Sequence, residues 1–293
     1  MEKIRKAVVA GQFYDWDKRS LEESIKECFL DKRGPRSFPK FAEKNKNILG
    51  LVVPHAGYVY SGAIAAHSYH YLSKNGFADT FVVLGPNHTG QGSGVSVMTE
   101  GLWETPLGKV PINDKLAKQI CKSIIDMDDS AHAYEHSIEV QLPFLQFIAG
   151  SKKFDFVPIC MAMQDFETAK EVGEIIAEAI KKTGVKTVIV ASSDFSHVGF
   201  NYMSMPPRGM RVDEYAEKQD EIAIKKILEL DPKGLIDVVH QNDITMCGYG
   251  PVASMLVASK LLGAKQAELL KYGTSYEVQP SSSCVGYGAL AVY

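Results

Sequence analysis

The stretch Ile48-Leu49-Gly50-Leu51-Val52-Val53-Pro54-His55-Ala56-Gly57-Tyr58 decides the fold. Six apolar or small residues run without polar interruption into a proline, a histidine and a glycine. A strand exposed on one face would alternate, so an unbroken run predicts a strand covered on both faces. The same pattern recurs along the chain. Thr80–Leu84 leads into Gly85-Pro86-Asn87-His88, and Thr187–Ala191 leads into Ser192-Ser193-Asp194-Phe195-Ser196-His197. Phe154–Ile159 reads as a fourth strand, and Gly286–Val292 as a last one. Helical spacing is expected between them, over 113–125, 137–148, 166–182, 212–230 and 248–262, with Pro143 kinking or delaying the second. Ser20 and Glu23 form a capping-box pattern before Leu21, Ile25, Cys28 and Phe29. Strands alternating with helices predict a three-layer α/β/α sandwich around a mostly parallel mixed sheet. No repeat or linker divides the chain, so one domain is expected over 1–293.

Composition narrows the function. The chain has 293 residues, 32 Lys+Arg against 35 Asp+Glu, and 45% hydrophobic residues. A net charge of −3 gives no global basic field for nucleic acid. No apolar run approaches the roughly 18 residues of a membrane span, and Met1–Lys6 has no apolar segment behind its charges, so no signal peptide is expected. Cys28, Cys121, Cys160, Cys247 and Cys284 are odd in number and lack CxxC spacing, which speaks against a disulfide framework or zinc ribbon. These features predict a soluble, reduced, cytosolic protein. The basic segment 32–47, with six Lys/Arg and one Glu, reads as a solvated loop.

The chemistry gathers at strand ends. In a parallel sheet the carboxyl ends of the strands face the ligand crevice, so His55, His88 and His197 are expected at one edge. A histidine after a strand is ordinarily just a hydrogen-bonded loop residue; three in equivalent places point to a shared site. His67, His70 and His240 read as ordinary packing or surface histidines. Glu135 and His136 precede an apolar helix, where a cap and a catalytic role compete evenly. Cys247 lies before a helix start, which predicts a lowered thiol pKa. Imidazole and thiolate together suit iron, zinc or copper rather than magnesium or calcium. There is no Walker A sequence, GxSxG elbow or GxGxxG after a strand, which removes most support for nucleotide-dependent and triad-hydrolase chemistry.

These motifs resemble the Memo family, also described as the B component of the AmmeMemoRadiSam group. The resemblance rests on Pro54–Tyr58, Gly85–His88, Glu135–Glu139, Ser192–Phe195 and Cys247-Gly248, and reaches from Ala10–Tyr14 to Gly288–Val292. It implies a fold shared with class III extradiol dioxygenases, whose non-haem iron is held by two His and one Glu, with Cys in place of that Glu. The implied ligands are His55, His88 and Cys247. The implied acid–base group is His197, with Asp194 beside it; His136, from the reading of the residues before the apolar helix, is kept as a further catalytic candidate. The implied metal is Fe(II), then copper, with zinc third. A metal-dependent redox enzyme is the leading expectation. The alternatives are a peptide- or small-ligand-binding module using the same cleft, rimmed by Tyr58, Tyr60 and Tyr249 with Arg208 for an anion, and a zinc hydrolase. Family association adds AMMECR1-like and radical SAM proteins as partners.

Overall fold

The computed structural model describes residues 3–40 and 46–293. In chain order its elements are β1 (Ile4–Arg5), α1 (Lys18–Leu30), β2 (Gly50–Val53), α2 (Ala63–Asn75), β3 (Thr80–Pro86), β4 (Val95–Val97), β5 (Leu102–Thr105) and β6 (Gly108–Pro111). Then come α3 (Asp114–Ile120), β7 (Asp126–Met127), α4 (Leu142–Ala149), β8 (Asp155–Met161), α5 (Phe166–Thr183), β9 (Thr187–Ser192) and β10 (His197–Val198). The chain closes with α6 (Val212–Leu228), α7 (Pro232–Gln241), α8 (Tyr249–Leu261), β11 (Ala267–Thr274) and β12 (Cys284–Val292).

The principal sheet runs β10-β12-β2-β9-β3-β8-β4-β7, with β11 also paired to β12. Its centre, β2, β9, β3 and β8, is parallel. Strands β12 and β4 join it antiparallel, so the sheet is mixed. The continuous apolar runs of β2, β3 and β9 are buried throughout. Helices cover both faces, as the expected three-layer sandwich requires. On β11, Gly273 faces Ile64 of α2, while its neighbour Tyr272 reaches Asp220 of α6. Gly50 shows how close α8 comes: a Cβ there would lie 2.2 Å from the Met255 sulfur. Because β2, β9 and β3 are parallel neighbours, the loops carrying His55, Asp194 and His88 emerge side by side.

Several boundaries differ from expectation, each for a local reason. Helix α1 is capped by Asp17, whose carboxylate accepts the Ser20 N–H at 3.0 Å, not by Ser20. Pro143 sits in the first turn of α4, so the helix expected from 137 begins only at Leu142, after a 3₁₀ turn over Glu139–Gln141. Helix α3 stops at Ile120 rather than 125. The small sheet β1-β5-β6, helix α7 and strand β11 were not anticipated. The basic segment is in part outside the described residues, at 41–45. Among the described residues, no helix is long and apolar enough to cross a membrane.

Candidate metal centre

His55 leaves β2 directly after Pro54 and is buried. Its backbone N–H donates to Asp194 Oδ1 at 2.8 Å, and that oxygen also takes the Ala56 N–H at 3.3 Å. The ring is fixed by hydrogen-bond accounting. Ser192 Oγ donates to Ser137 O at 2.6 Å and accepts from Gln141 Nε2 at 2.8 Å. Its remaining capacity is as an acceptor, so the 2.8 Å contact with His55 Nδ1 puts the proton on Nδ1. Nε2 is left as a lone pair, 3.2 Å from Cys247 Sγ.

His88 follows β3 and is more open. Its N–H donates to Glu135 Oε2 at 2.5 Å, and its Nδ1 lies 2.9 Å from Glu135 Oε1. A carboxylate behind an imidazole fixes the tautomer and makes the far nitrogen a better ligand. Burial pushes the Glu135 carboxyl up, but the His88 ring and the Ser137 N–H outweigh it and hold the group near 2. Glu135 was expected as a helix cap or a catalytic group; α4 begins too late to be capped by it, and it serves His88 instead.

Cys247 arrives from the far side, just before α8. Gly248 donates its N–H to Ser193 Oγ at 3.0 Å, and a Cβ on Gly248 would lie 2.6 Å from Ser192 O, so only glycine permits this approach. Gln164 grips the same turn, donating to Cys247 O at 2.9 Å and accepting from Gly250 N at 2.8 Å. The thiol contradicts one expectation. Burial, with the Asp194 charge, pushes its pKa up; the Asp194 N–H at 3.3 Å and the helix start do not outweigh that. In the metal-free protein the sulfur is therefore a protonated thiol.

One ligand atom each from His55, His88 and Cys247 lie within 4.8 Å of one another. Two imidazole nitrogens freed by their tautomers and one thiol make a borderline-soft donor set, which fits iron, copper or zinc and not magnesium or calcium. His88, Glu135 and His136 form a second group of this kind. The Glu135 oxygens there already accept from His88 N, His88 Nδ1 and Ser137 N, so they support His88 rather than a separate ion.

Three further residues complete the edge. His197 enters β10, its N–H donating to Thr245 Oγ1 at 2.7 Å and its Nδ1 lying 3.0 Å from Thr245 O. A carbonyl can only accept, so Nδ1 carries the proton and Nε2 is the basic atom. Asp194 makes no hydrogen bond to His197 among the described residues; it holds the His55 loop. Its own carboxyl is pushed up by burial, against the opposing pull of His197. His136 stacks on His88 with ring centroids 4.6 Å apart, and burial lowers it to about 4. Burial and the neighbouring imidazoles likewise keep His55 neutral.

His55, His88, His136, Asp194 and His197 line a cavity of about 530 Å³ that also includes Phe13, Tyr60, Tyr202, Tyr287 and Ser281; Cys247 and Glu135 lie behind this lining. Tyr60 is where the rim was expected. Tyr58 points into the core, bonding Val140 O, and Tyr249 pairs with the His240 ring. Arg208 lies outside the cavity lining. His67 and His70 bond Arg33 O and Ser37 Oγ, as ordinary histidines do. Ser192, Gln141 and Thr245 were missed because a single hydroxyl or amide carries no spacing signal. Tyr202 was missed because it sits in an irregular turn.

Fold and site together define an α/β/α protein with a His/His/Cys group at the carboxyl edge of its sheet. A family model described as Memo-like protein matches residues 5–291, and the chain belongs to that family. It is 47% identical over 300 residues to a MEMO1 family protein of Methanocaldococcus jannaschii, covering 100% of both chains. It is 45% identical over 289 residues to one of Methanopyrus kandleri, covering 98% of each. A crystal structure of an uncharacterized protein from Escherichia coli K12 shares the fold with TM-score 0.53 at 16% identity, covering 83% of this chain and 99% of that one.

Proposed function

We propose that the protein is a metal-dependent redox enzyme of the Memo family, with His55, His88 and Cys247 as ligands to Fe(II) or, second, copper. The observation that carries this is the pair of imidazoles whose Nδ1 atoms are engaged by Ser192 and Glu135, with His55 Nε2 3.2 Å from the Cys247 sulfur and a His88 ring nitrogen within 4.8 Å of both. The bound metal would supply one-electron redox chemistry and open positions for substrate and oxygen. His197 then takes or returns a proton at Nε2, its Nδ1–H held by Thr245 O. His136, neutral above about pH 4, offers a hydrogen bond rather than a charge. Asp194 fixes the backbone of His55, and Phe13 and Tyr202 supply aromatic walls that exclude water from the substrate.

Protein purified without oxygen, loaded with Fe(II) or copper and then given oxygen and a panel of catechols tests the proposal. Metal-dependent oxygen uptake with a new product supports it; metal binding with no oxygen uptake for any substrate class overturns the enzymatic part. A second reading, ligand binding without turnover, draws on the oxidisable Cys247 thiol in the donor set. Under that reading, calorimetry finds a ligand for the cavity whether or not metal is present. Zinc hydrolysis ranks third, and family association proposes AMMECR1-like and radical SAM proteins as partners.

A further inference from the structure

Beside the metal-edge cavity lies a second one of about 570 Å³. Phe13 lines both. The short π-helical turn Tyr58–Gly62 divides them, with Val59 on the second cavity and Tyr60 on the first. Val278 and Gln279, adjacent in the chain, also fall on opposite sides. The two cavities are therefore neighbouring lobes with a sill between them, and π-turns of this kind are frequent at functional sites.

The lobes differ in chemistry. The metal-edge lobe is lined by imidazoles, hydroxyls and aromatic rings, and its lining carboxylate, Asp194, is buried and committed to the His55 loop. The second lobe carries Asp15, Glu27 and Asp31 against one cation, Arg33. Arg33 is already spent on Asp31 and on Tyr60 O. Among the described residues, Asp15 and Glu27 have no ion-pair partner. The lobe also holds two large apolar side chains left mainly in solvent, Trp16 at 76% and Val59 at 66% exposure. An indole lining the same cavity as two carboxylates without an ion-pair partner is a composition that receives an organic cation, and exposed apolar groups grouped at a cleft mark binding sites.

We infer that the second lobe is a subsite for a guanidinium or primary ammonium group borne on an alkyl stem, the far end of an elongated ligand whose other end reaches over the Phe13 sill into the metal-edge lobe. The stem lies against Val59 and Trp16, and the cation lies between Asp15, Glu27 and the indole. The proposed function enters only in naming which end of the ligand reacts; the cation subsite itself needs no metal.

Trp16 makes the test direct, because the other tryptophan, Trp103, is buried. The full chain, as purified and after chelation, is titrated with acetyl-Ala-Ala-Arg-amide, with agmatine, and with acetyl-Ala-Ala-Glu-amide, following Trp emission and calorimetry. Both cations should shift Trp16 emission to the blue in the presence and absence of metal, weakening with added salt, while the acidic peptide leaves it unchanged. Tighter binding of the peptide than of agmatine identifies a peptide side chain as the source of the cation; the reverse identifies a free amine. The double substitution of half-buried Asp15→Asn with exposed Glu27→Gln should weaken binding roughly tenfold, as two partly exposed charge contacts allow. Equal binding of the acidic peptide, an unchanged double variant, or no emission shift at millimolar ligand overturns the inference. Loss of metal chemistry with the cation response intact would overturn the proposed function alone.

Discussion

The two walls of the metal-edge cavity are built in opposite ways. The inner wall is the carboxyl edge of β2, β9 and β3, where His55, Glu135, Ser192 and Asp194 are buried and the Nδ1 atoms of His55 and His88 are both engaged. The outer wall contains the turn Gly199–Met205, where Phe200 is 83% and Met203 95% exposed and Met203 adopts a left-handed φ of 53°. The inner wall fixes the candidate ligand atoms of His55 and His88 through hydrogen bonds within the fold. The outer wall is held mainly by backbone hydrogen bonds within its own turn, so the candidate ligand atoms are set by the sheet while the side chains facing the cavity mouth carry fewer constraints. Preorganisation is thus concentrated where charge must be held.

The largest test of that contrast removes an inner-wall ligand. His88→Ala should lower metal affinity by more than the roughly 10–100-fold that loss of an outer partner costs, read by equilibrium chelator competition, while the fold is kept because His88 is among the more exposed of the site residues. Glu135→Gln should fall inside that 10–100-fold range, since an amide still bonds His88 Nδ1 or N–H but no longer supplies charge. If Glu135→Gln binds metal as the wild type does, the carboxylate is not tuning His88.

Next in size is a pH effect behind the His197 loop. Asp220 accepts the Ser196 N–H at 2.8 Å and the Tyr272 hydroxyl at 2.7 Å, yet burial raises its carboxyl from 3.8 to about 7. A carboxyl raised on folding binds its proton more tightly in the folded chain. Its stabilisation is complete below pH 3.8 and is lost as pH rises toward about 7. Urea unfolding of wild type should therefore show a decline across this window that Asp220→Asn flattens. The smallest effect belongs to the outer wall. Met203→Gly relieves the left-handed backbone and removes an exposed side chain, so stability should move by no more than about 0.5 kcal/mol and metal affinity not at all. A large change in either would mean that the outer wall is as constrained as the inner one.

The parts of the molecule legible in the sequence are those with a repeated physical signature. Buried parallel strands must be apolar on both faces, so β2, β3 and β9 announce themselves, and a histidine just past each carboxyl end lands at one edge by topology alone. Cys247 was legible from its place before an apolar helix, but the sign of its pKa shift was not. The helix-start argument ignores burial, and burial dominates. The partners of His55 were out of reach, because Ser192 and Gln141 meet only when β9 and a 3₁₀ turn fold together. Strand β11 escaped notice for a related reason: Glu268, Lys271 and Tyr272 break its apolar pattern, and the partners of Glu268 (Lys46 and Tyr71) and of Tyr272 (Asp220) are distant in the chain. The Ser20–Glu23 pattern misled because Asp17, three residues earlier, is an equally good cap.

X-ray absorption on anaerobically loaded protein tests the central claim most directly. The account predicts a first shell with one sulfur near ~2.3 Å and two imidazole nitrogens near ~2.0–2.1 Å, the sulfur being lost in Cys247→Ser. A shell of nitrogen and oxygen alone would contradict it, because Cys247 would then stand beside the metal and not hold it.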